Sequence, residues 1–113
     1  MKKLIALALA FCATPALAQG GWKSGNTLLD DCTSTSLMRE GVCLGYIMGV
    51  IDMSKSSQVE PHLQYGASST PYGATAGQLK SIVVKYLNEH PELRHYVAQD
   101  LVYLAIKLAF KDQ

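Results

Sequence analysis

The stretch LMREGVCLGYIMGVIDMSK, residues 37–55, is the longest helical pattern in the sequence and the best indication of its fold class. Its apolar side chains fall on nearly every side of a helix, which is typical of a helix buried in the middle of a bundle. Gly41, Gly45 and Gly49 are spaced by four and therefore line one face. Each glycine lowers helix propensity by about 1 kcal/mol relative to alanine. We therefore expect another helix to approach closely along this face, within a soluble core or, alternatively, between two subunits.

The flanking sequence predicts further helices and no sheet, because no stretch alternates with period two for any length. Asn26 is a candidate cap for a short first helix that ends near Cys32. Thr75 and Gln78 have the spacing of a capping box, and the helix after them is expected to end at His90, before a proline. Pro91 is expected to open the last helix. The core stripe expected for that last helix is Leu93, Val97, Leu101, Leu104 and Leu108.

These elements predict an all-α fold: a small single-domain helical bundle of four to five helices with one disulfide. The chain has 113 residues, a size typical of one domain. Its formal net charge is +1 and no basic run occurs, so nothing in the sequence favours nucleic-acid binding.

The first residues have the pattern of an export signal rather than of folded structure. A positive start (MKK, residues 1–3) precedes an apolar run at 4–11 and the small-residue cleavage motif ALA at 16–18. The apolar run is too short to span a bilayer. We expect export to the periplasm, with residues 1–18 as a signal peptide cleaved after Ala18, a mature domain over 19–113 and no membrane attachment after cleavage.

Removing that segment also removes Cys12 and leaves two cysteines, Cys32 and Cys43. Two cysteines in an exported chain are expected to form one disulfide. A metal or redox site is disfavoured because the sequence has no C-x-x-C motif and no histidine near either cysteine.

Candidate catalytic residues are few, and we expect no catalytic site, no metal and no cofactor. His90 and His95 do not share a helix face, and no nucleophile motif or H-E-x-x-H is present. Asp30 and Asp31 are interpreted as surface residues. Asp52 closes an apolar helix, and it is either an exposed helix-end residue or a buried, partnered one.

The most unusual segment is residues 54–73, rich in serine, proline and glycine. A connection of this length in a compact domain is typically functional or disordered. Tyrosine and histidine within it suit a protein interface, although a plain solvated connection fits the composition equally well.

Several short motifs, in order, resemble the Tai/Rap family of periplasmic immunity proteins, which neutralise amidase effectors of type VI secretion. Residues 43–52 (CLGYIMGVID) are similar to the family's C-x-x-Y-[IL]-x-G-x-x-D helix. The other matching pieces are Leu28-Leu29 before Cys32, TAGQL at 75–79, VKYL at 84–87, HPELRH at 90–95 and the closing helix at 101–110.

The resemblance implies a non-enzymatic inhibitor that is often a homodimer and that plugs the catalytic cleft of a peptidoglycan amidase with a protruding element. The family's second disulfide has no counterpart, because its two places correspond to Thr70-Pro71 and Lys111-Asp112. By analogy, the effector-contact candidates are Glu60, His62, Gln64, Tyr65, Ser69 and Tyr72.

Two other functional classes remain as alternatives. A periplasmic stress or acid chaperone would also be a small disulfide-bonded helical protein, or the chain could be a structural protein without an effector partner. An exported enzyme is disfavoured, because no nucleophile–base pair can be assembled from the sequence.

Overall fold

A computed structural model describes residues 21–55, 70–71 and 73–111. Within these ranges there are helices and turns but no strand, and the predicted all-α class is confirmed. The elements in chain order are α1 (Gly25–Cys32), α2 (Leu37–Lys55), α3 (Ala76–Glu89), a 3-10 turn (Pro91–Leu93) and α4 (Ala98–Ala109).

The core lies where the four helices meet, and each helix contributes buried apolar side chains. From α2 these are Cys43, Ile47 and Ile51, a single face of that helix. The other buried apolar residues are Leu28 and Cys32 on α1, Leu79, Val83 and Leu87 on α3, and Ala98, Leu101, Val102, Ala105 and Ile106 on α4.

The predicted disulfide is present and joins the end of α1 to α2. Cys32 and Cys43 are both buried, and they lie 11 residues apart in the sequence. Closing a loop of this length restricts the unfolded chain and stabilises the fold by about 3 kcal/mol. The disulfide therefore holds the two helices together at the centre of the core.

The α3 helix has the ends predicted from sequence. The Gln78 backbone N–H donates to Thr75 Oγ1 at 3.2 Å, and the Thr75 N–H donates to Gln78 Oε1 at 2.8 Å. His90 is the C-cap residue. Arg94 then reaches back, and its Nε donates to the Leu87 carbonyl at 2.6 Å. A cation on the free carbonyls is favourable at a helix C-terminus.

Two predicted helix starts are wrong. Ser24, not Asn26, caps α1, because its hydroxyl accepts the Thr27 N–H while Thr27 Oγ1 accepts the Ser24 N–H. Pro91 opens the 3-10 turn, and α4 begins only at Ala98.

This break before α4 restarts the helical phase, so the predicted core stripe is also wrong. Leu101 is buried as expected, but Leu104 is 39% exposed and Leu108 is 53% exposed. The residues around the start of α4 instead form backbone hydrogen bonds with the residues around the start of α1. The Gly25 N–H donates to the Tyr96 carbonyl at 3.0 Å, and the Ala98 N–H donates to the Lys23 carbonyl at 2.8 Å.

The prediction that α2 is buried on all sides is wrong as well. α1, α3 and α4 all pack on the face formed by Cys43, Ile47 and Ile51, and the opposite face has no neighbouring helix in the described chain. Leu37 is 84% exposed and Met38 is 79% exposed. The close internal contact expected at the glycines is therefore absent among the described residues: apart from the neighbouring residues and backbone of α2 itself, no atom would lie within 4 Å of a Cβ at Gly41, Gly45 or Gly49.

Candidate functional site

The six predicted contact residues lie outside the part of the chain that the structure describes. They are Glu60, His62, Gln64, Tyr65, Ser69 and Tyr72. The structure describes how the connection that contains them is attached to α2 at one end and to α3 at the other, and it describes the surfaces beside these two ends.

The N-terminal attachment is the last turn of α2. Ile51 and Ser54 are buried there, and the Ser54 hydroxyl donates to the Ile51 carbonyl at 2.7 Å. A buried hydroxyl needs such a partner, because an unsatisfied polar group in the interior costs about 1–3 kcal/mol. The segment therefore leaves α2 from a position fixed in the core.

The C-terminal attachment is a turn that leads into α3. The Ala74 N–H donates to the Pro71 carbonyl at 3.3 Å. Gly73 has φ +90°, a conformation that side-chain-bearing residues rarely adopt, so glycine is required by the turn itself. The Thr75–Gln78 capping box follows directly and joins this turn to α3.

An open cavity of about 770 Å³ lies beside this second attachment. None of the described residues that line it carries an ionisable side chain. Its polar side chains are used internally: Thr75 and Gln78 bond each other, and the Ser81 hydroxyl donates to the Gly77 carbonyl at 3.0 Å. The lining residues are Pro71, Gly73, Ala74, Thr75, Gly77, Gln78, Ser81, Ile82 and Phe110.

Asp31 forms ion pairs with both Lys23 and Arg39, and the prediction that it is a surface residue is wrong. Asp31 is buried, with its Oδ2 at 2.5 Å from Lys23 Nζ and its Oδ1 at 2.9 Å from Arg39 Nε. The hydrogen bond from Lys23, with a further one from Arg39, holds the pKa of Asp31 below its usual value despite burial. Asp30 is exposed, as expected.

His90 and Asp52 are further candidates that lie within the described residues. His90 Nδ1 lies 3.1 Å from Glu92 Oε1. Two hydrogen bonds lower the pKa of the Glu92 carboxyl: the larger effect comes from its own backbone N–H and the smaller one from His90. Asp52 is exposed, which matches the first of its two predicted alternatives. Among the described residues, no group of three His, Cys, Asp or Glu side chains has the arrangement to hold a metal ion.

Sequence reasoning missed two features. The first is the Lys23–Asp31–Arg39 cluster: Lys23 lies eight residues before Asp31 and Arg39 eight residues after it, and this spacing matches no local sequence motif. The second is the exposed face of α2, which its three glycines could have indicated, but the apolar residues beside them indicated a core.

In the described ranges, no helix combines the length and apolar character needed to cross a membrane.

Over the described residues, the structure thus defines a small all-α protein with one buried disulfide, in which the buried Ser54 and the Thr75–Gln78 capping box flank the connection between α2 and α3. The sequence model of the Rap1a immunity proteins matches residues 24–111. The chain therefore belongs to the Rap1a immunity protein family, which agrees with the resemblance noted above. Comparison with curated proteins and with solved structures gave no match. Family membership makes the chain an immunity protein against a secreted effector.

Proposed function

We propose that this chain is exported to the periplasm and there binds and blocks a peptidoglycan amidase effector of type VI secretion, with no enzymatic activity of its own. The observation that carries the proposal is the family match over residues 24–111, nearly the whole of the described chain. The amidase as target, the periplasm as location and residues 1–18 as a signal peptide come from the resemblance and the N-terminal sequence.

The contact region in this proposal is the segment between α2 and α3. Support comes from its two attachments, the buried Ser54 at one end and the Thr75–Gln78 capping box at the other. Fixing the ends of a connection reduces the conformational entropy that binding must remove. The uncharged cavity beside Pro71 adds apolar surface next to the segment, where a partner can bury side chains.

Isothermal titration calorimetry tests both statements. The mature chain is titrated with a purified type VI amidase from the same bacterium, and the heat of binding gives the affinity and the stoichiometry. We expect a one-to-one complex. Replacing both Tyr65 and Tyr72 with alanine should weaken it by about 100-fold, because buried tyrosines are frequent hot spots. Tyr96, which is 55% exposed beside the start of α4, is the control, and Tyr96→Ala should leave affinity unchanged.

Two results would count against the proposal in different ways. No binding of the amidase by the wild-type chain would overturn the choice of effector. Tight binding that Tyr65→Ala/Tyr72→Ala does not weaken would overturn the assignment of the contact region while leaving the effector in place.

A further inference from the structure

A groove lies between α2 and the start of α4, on the side of α2 that carries two of its glycines. Among the described residues its volume is about 350 Å³. Gly45 and Gly49 keep it open, because apart from the neighbouring residues and backbone of α2 no atom would lie within 4 Å of a Cβ at either position. Exposed apolar surface of this kind indicates a site of interaction. The residues lining the groove are Gly45, Tyr46, Gly49, Val50, Met53 and Gln99.

The C-terminal end of the groove has a carboxylate on each side. Asp52 is exposed and lies seven residues after Gly45, so it shares the face of α2 on which the glycines lie. Asp100 is exposed in the first turn of α4, and it lines a second, smaller cavity together with Met53. The charge of Asp100 also reaches the groove itself, since the pKa of the Tyr46 hydroxyl is raised mainly by burial and further by this carboxylate.

Asp52 is placed unfavourably for the stability of α2. It lies in the last turn of that helix, where the free carbonyl groups make the local potential negative. Among the described side chains, no ion pair involves Asp52 or Asp100. A carboxylate that weakens its own helix and has no described counter-charge breaks a local rule of stability, which is typical of a residue kept for binding. The matching group on a partner is a cation.

We propose that this groove binds the secreted effector through a segment that carries a Lys or Arg next to an apolar side chain. The apolar side chain enters the groove over its two glycines, and the cation lies between Asp52 and Asp100. The surface is continuous with the proposed contact region, because Met53 lines the groove and the next residue, Ser54, is buried where the connection begins. The inference rests on the proposed function and adds a second contact surface to it.

Filling the groove tests the apolar part of this contact. Gly49→Leu places a side chain in the groove, whereas the matched control Gly41→Leu adds the same side chain to α2 outside it. Both variants should fold, because neither Cβ meets another helix and leucine favours a helix more than glycine does. In calorimetry with the purified amidase, Gly49→Leu should weaken binding by about 10-fold or more, and Gly41→Leu should leave it unchanged.

Neutralising Asp52 tests the charged part of the contact. Asp52→Asn should weaken amidase binding by about 5-fold at low salt. It should also reduce the dependence of affinity on salt, because salt screens an ion pair at the rim of an interface. The free energy of unfolding should not fall, since the lost charge lies at the negative end of the α2 dipole. Asp30→Asn on α1 is the matched control, and an Asp52→Asn variant that binds as tightly as this control would overturn the charged contact.

The outcomes separate the groove from the proposed function. Tight wild-type binding that Gly49→Leu leaves unchanged, or that both leucine variants weaken equally, would overturn the groove and leave the effector in place. Absence of wild-type binding would overturn the amidase as effector and this contact with it.

Light scattering and urea unfolding of the free leucine variants test two other occupants of the groove. A change of mass in Gly49→Leu alone would assign the groove to a second copy of the chain. A loss of stability in Gly49→Leu alone would assign it to another part of the same chain. Either result would overturn the proposal, which predicts the same mass for both variants and no loss of stability in either.

Discussion

Replacing Asp31 with asparagine should lower the free energy of unfolding substantially, although the substitution changes few atoms. The substitution keeps the shape of the side chain but removes the charge that Lys23 and Arg39 share. A hydrogen bond to a buried charged group contributes about 1.5–3 kcal/mol, and Lys23 is largely buried. The half-exposed Arg39 pair contributes about 0.5–1 kcal/mol. We therefore expect a loss of about 3 kcal/mol, a large share of the ~5–15 kcal/mol typical of a domain.

The same substitution should change how stability depends on pH. The pKa of Asp31 in the folded chain lies below its reference value of 3.8. A lowered pKa gives stability that is present above the unfolded pKa and is lost as the pH falls through the folded pKa. The difference between wild type and Asp31→Asn should therefore be constant near neutral pH and should shrink below about pH 4.

Urea unfolding followed by circular dichroism at several pH values measures both effects. Asp30→Asn is the matched control, because Asp30 is the exposed neighbour on the same helix and should change the free energy of unfolding by less than about 0.5 kcal/mol. A loss at Asp31 no larger than at Asp30, or a loss that persists unchanged at low pH, would show that the Asp31 charge does not stabilise the fold.

Three further substitutions test the scaffold by thermal or urea unfolding. Replacing Cys32 and Cys43 with serine should lower the free energy of unfolding by about 3 kcal/mol, because the unfolded chain regains its freedom. Gly25→Ala should cost about 1–3 kcal/mol, since a Cβ there would lie 2.9 Å from a backbone carbonyl oxygen. Thr70→Cys with Lys111→Cys puts cysteines at the two places where the resemblance locates a second disulfide, next to Pro71 and Phe110, which line the same cavity. Oxidation should join them and add up to about 4 kcal/mol.

Each of these has its own contradicting result. Equal stability of the oxidised wild type and the serine variant would show that the disulfide does not restrict the unfolded chain. A neutral Gly25→Ala would mean that the junction with the segment before α4 can move apart. Free thiols in the Thr70→Cys/Lys111→Cys variant after oxidation would show that these two positions do not meet.

Helix-capping and proline preferences predicted helix ends correctly where residues close in the sequence determine the structure. The Thr75–Gln78 pair and the His90–Pro91 step set both ends of α3 through contacts within four residues. The same preferences failed to predict the start of α4, because Pro91 is the first residue of a 3-10 turn and not of an α-helix. The backbone pairing of Ser24 with Val97 then delays the next helix, and that pairing joins distant parts of the chain.

Residue type alone could not separate the two faces of α2. Ile47 and Met38 are both apolar, yet one lies in the core and the other on the surface. Apolar side chains also occur on protein surfaces, so only the positions of the other helices distinguish the two faces. For the same reason the buried Asp31 was missed, since its partners are brought together by the fold and not by spacing.

The proposed function is best tested by inhibition of a type VI peptidoglycan amidase by the mature chain. Increasing amounts of the chain, residues 19–113, are added to a fixed amount of the purified amidase from the same bacterium, and peptidoglycan hydrolysis is followed. We expect hydrolysis to fall linearly and to stop at one chain per amidase. Full hydrolysis in the presence of excess chain, with the amidase active and the chain folded, would contradict it.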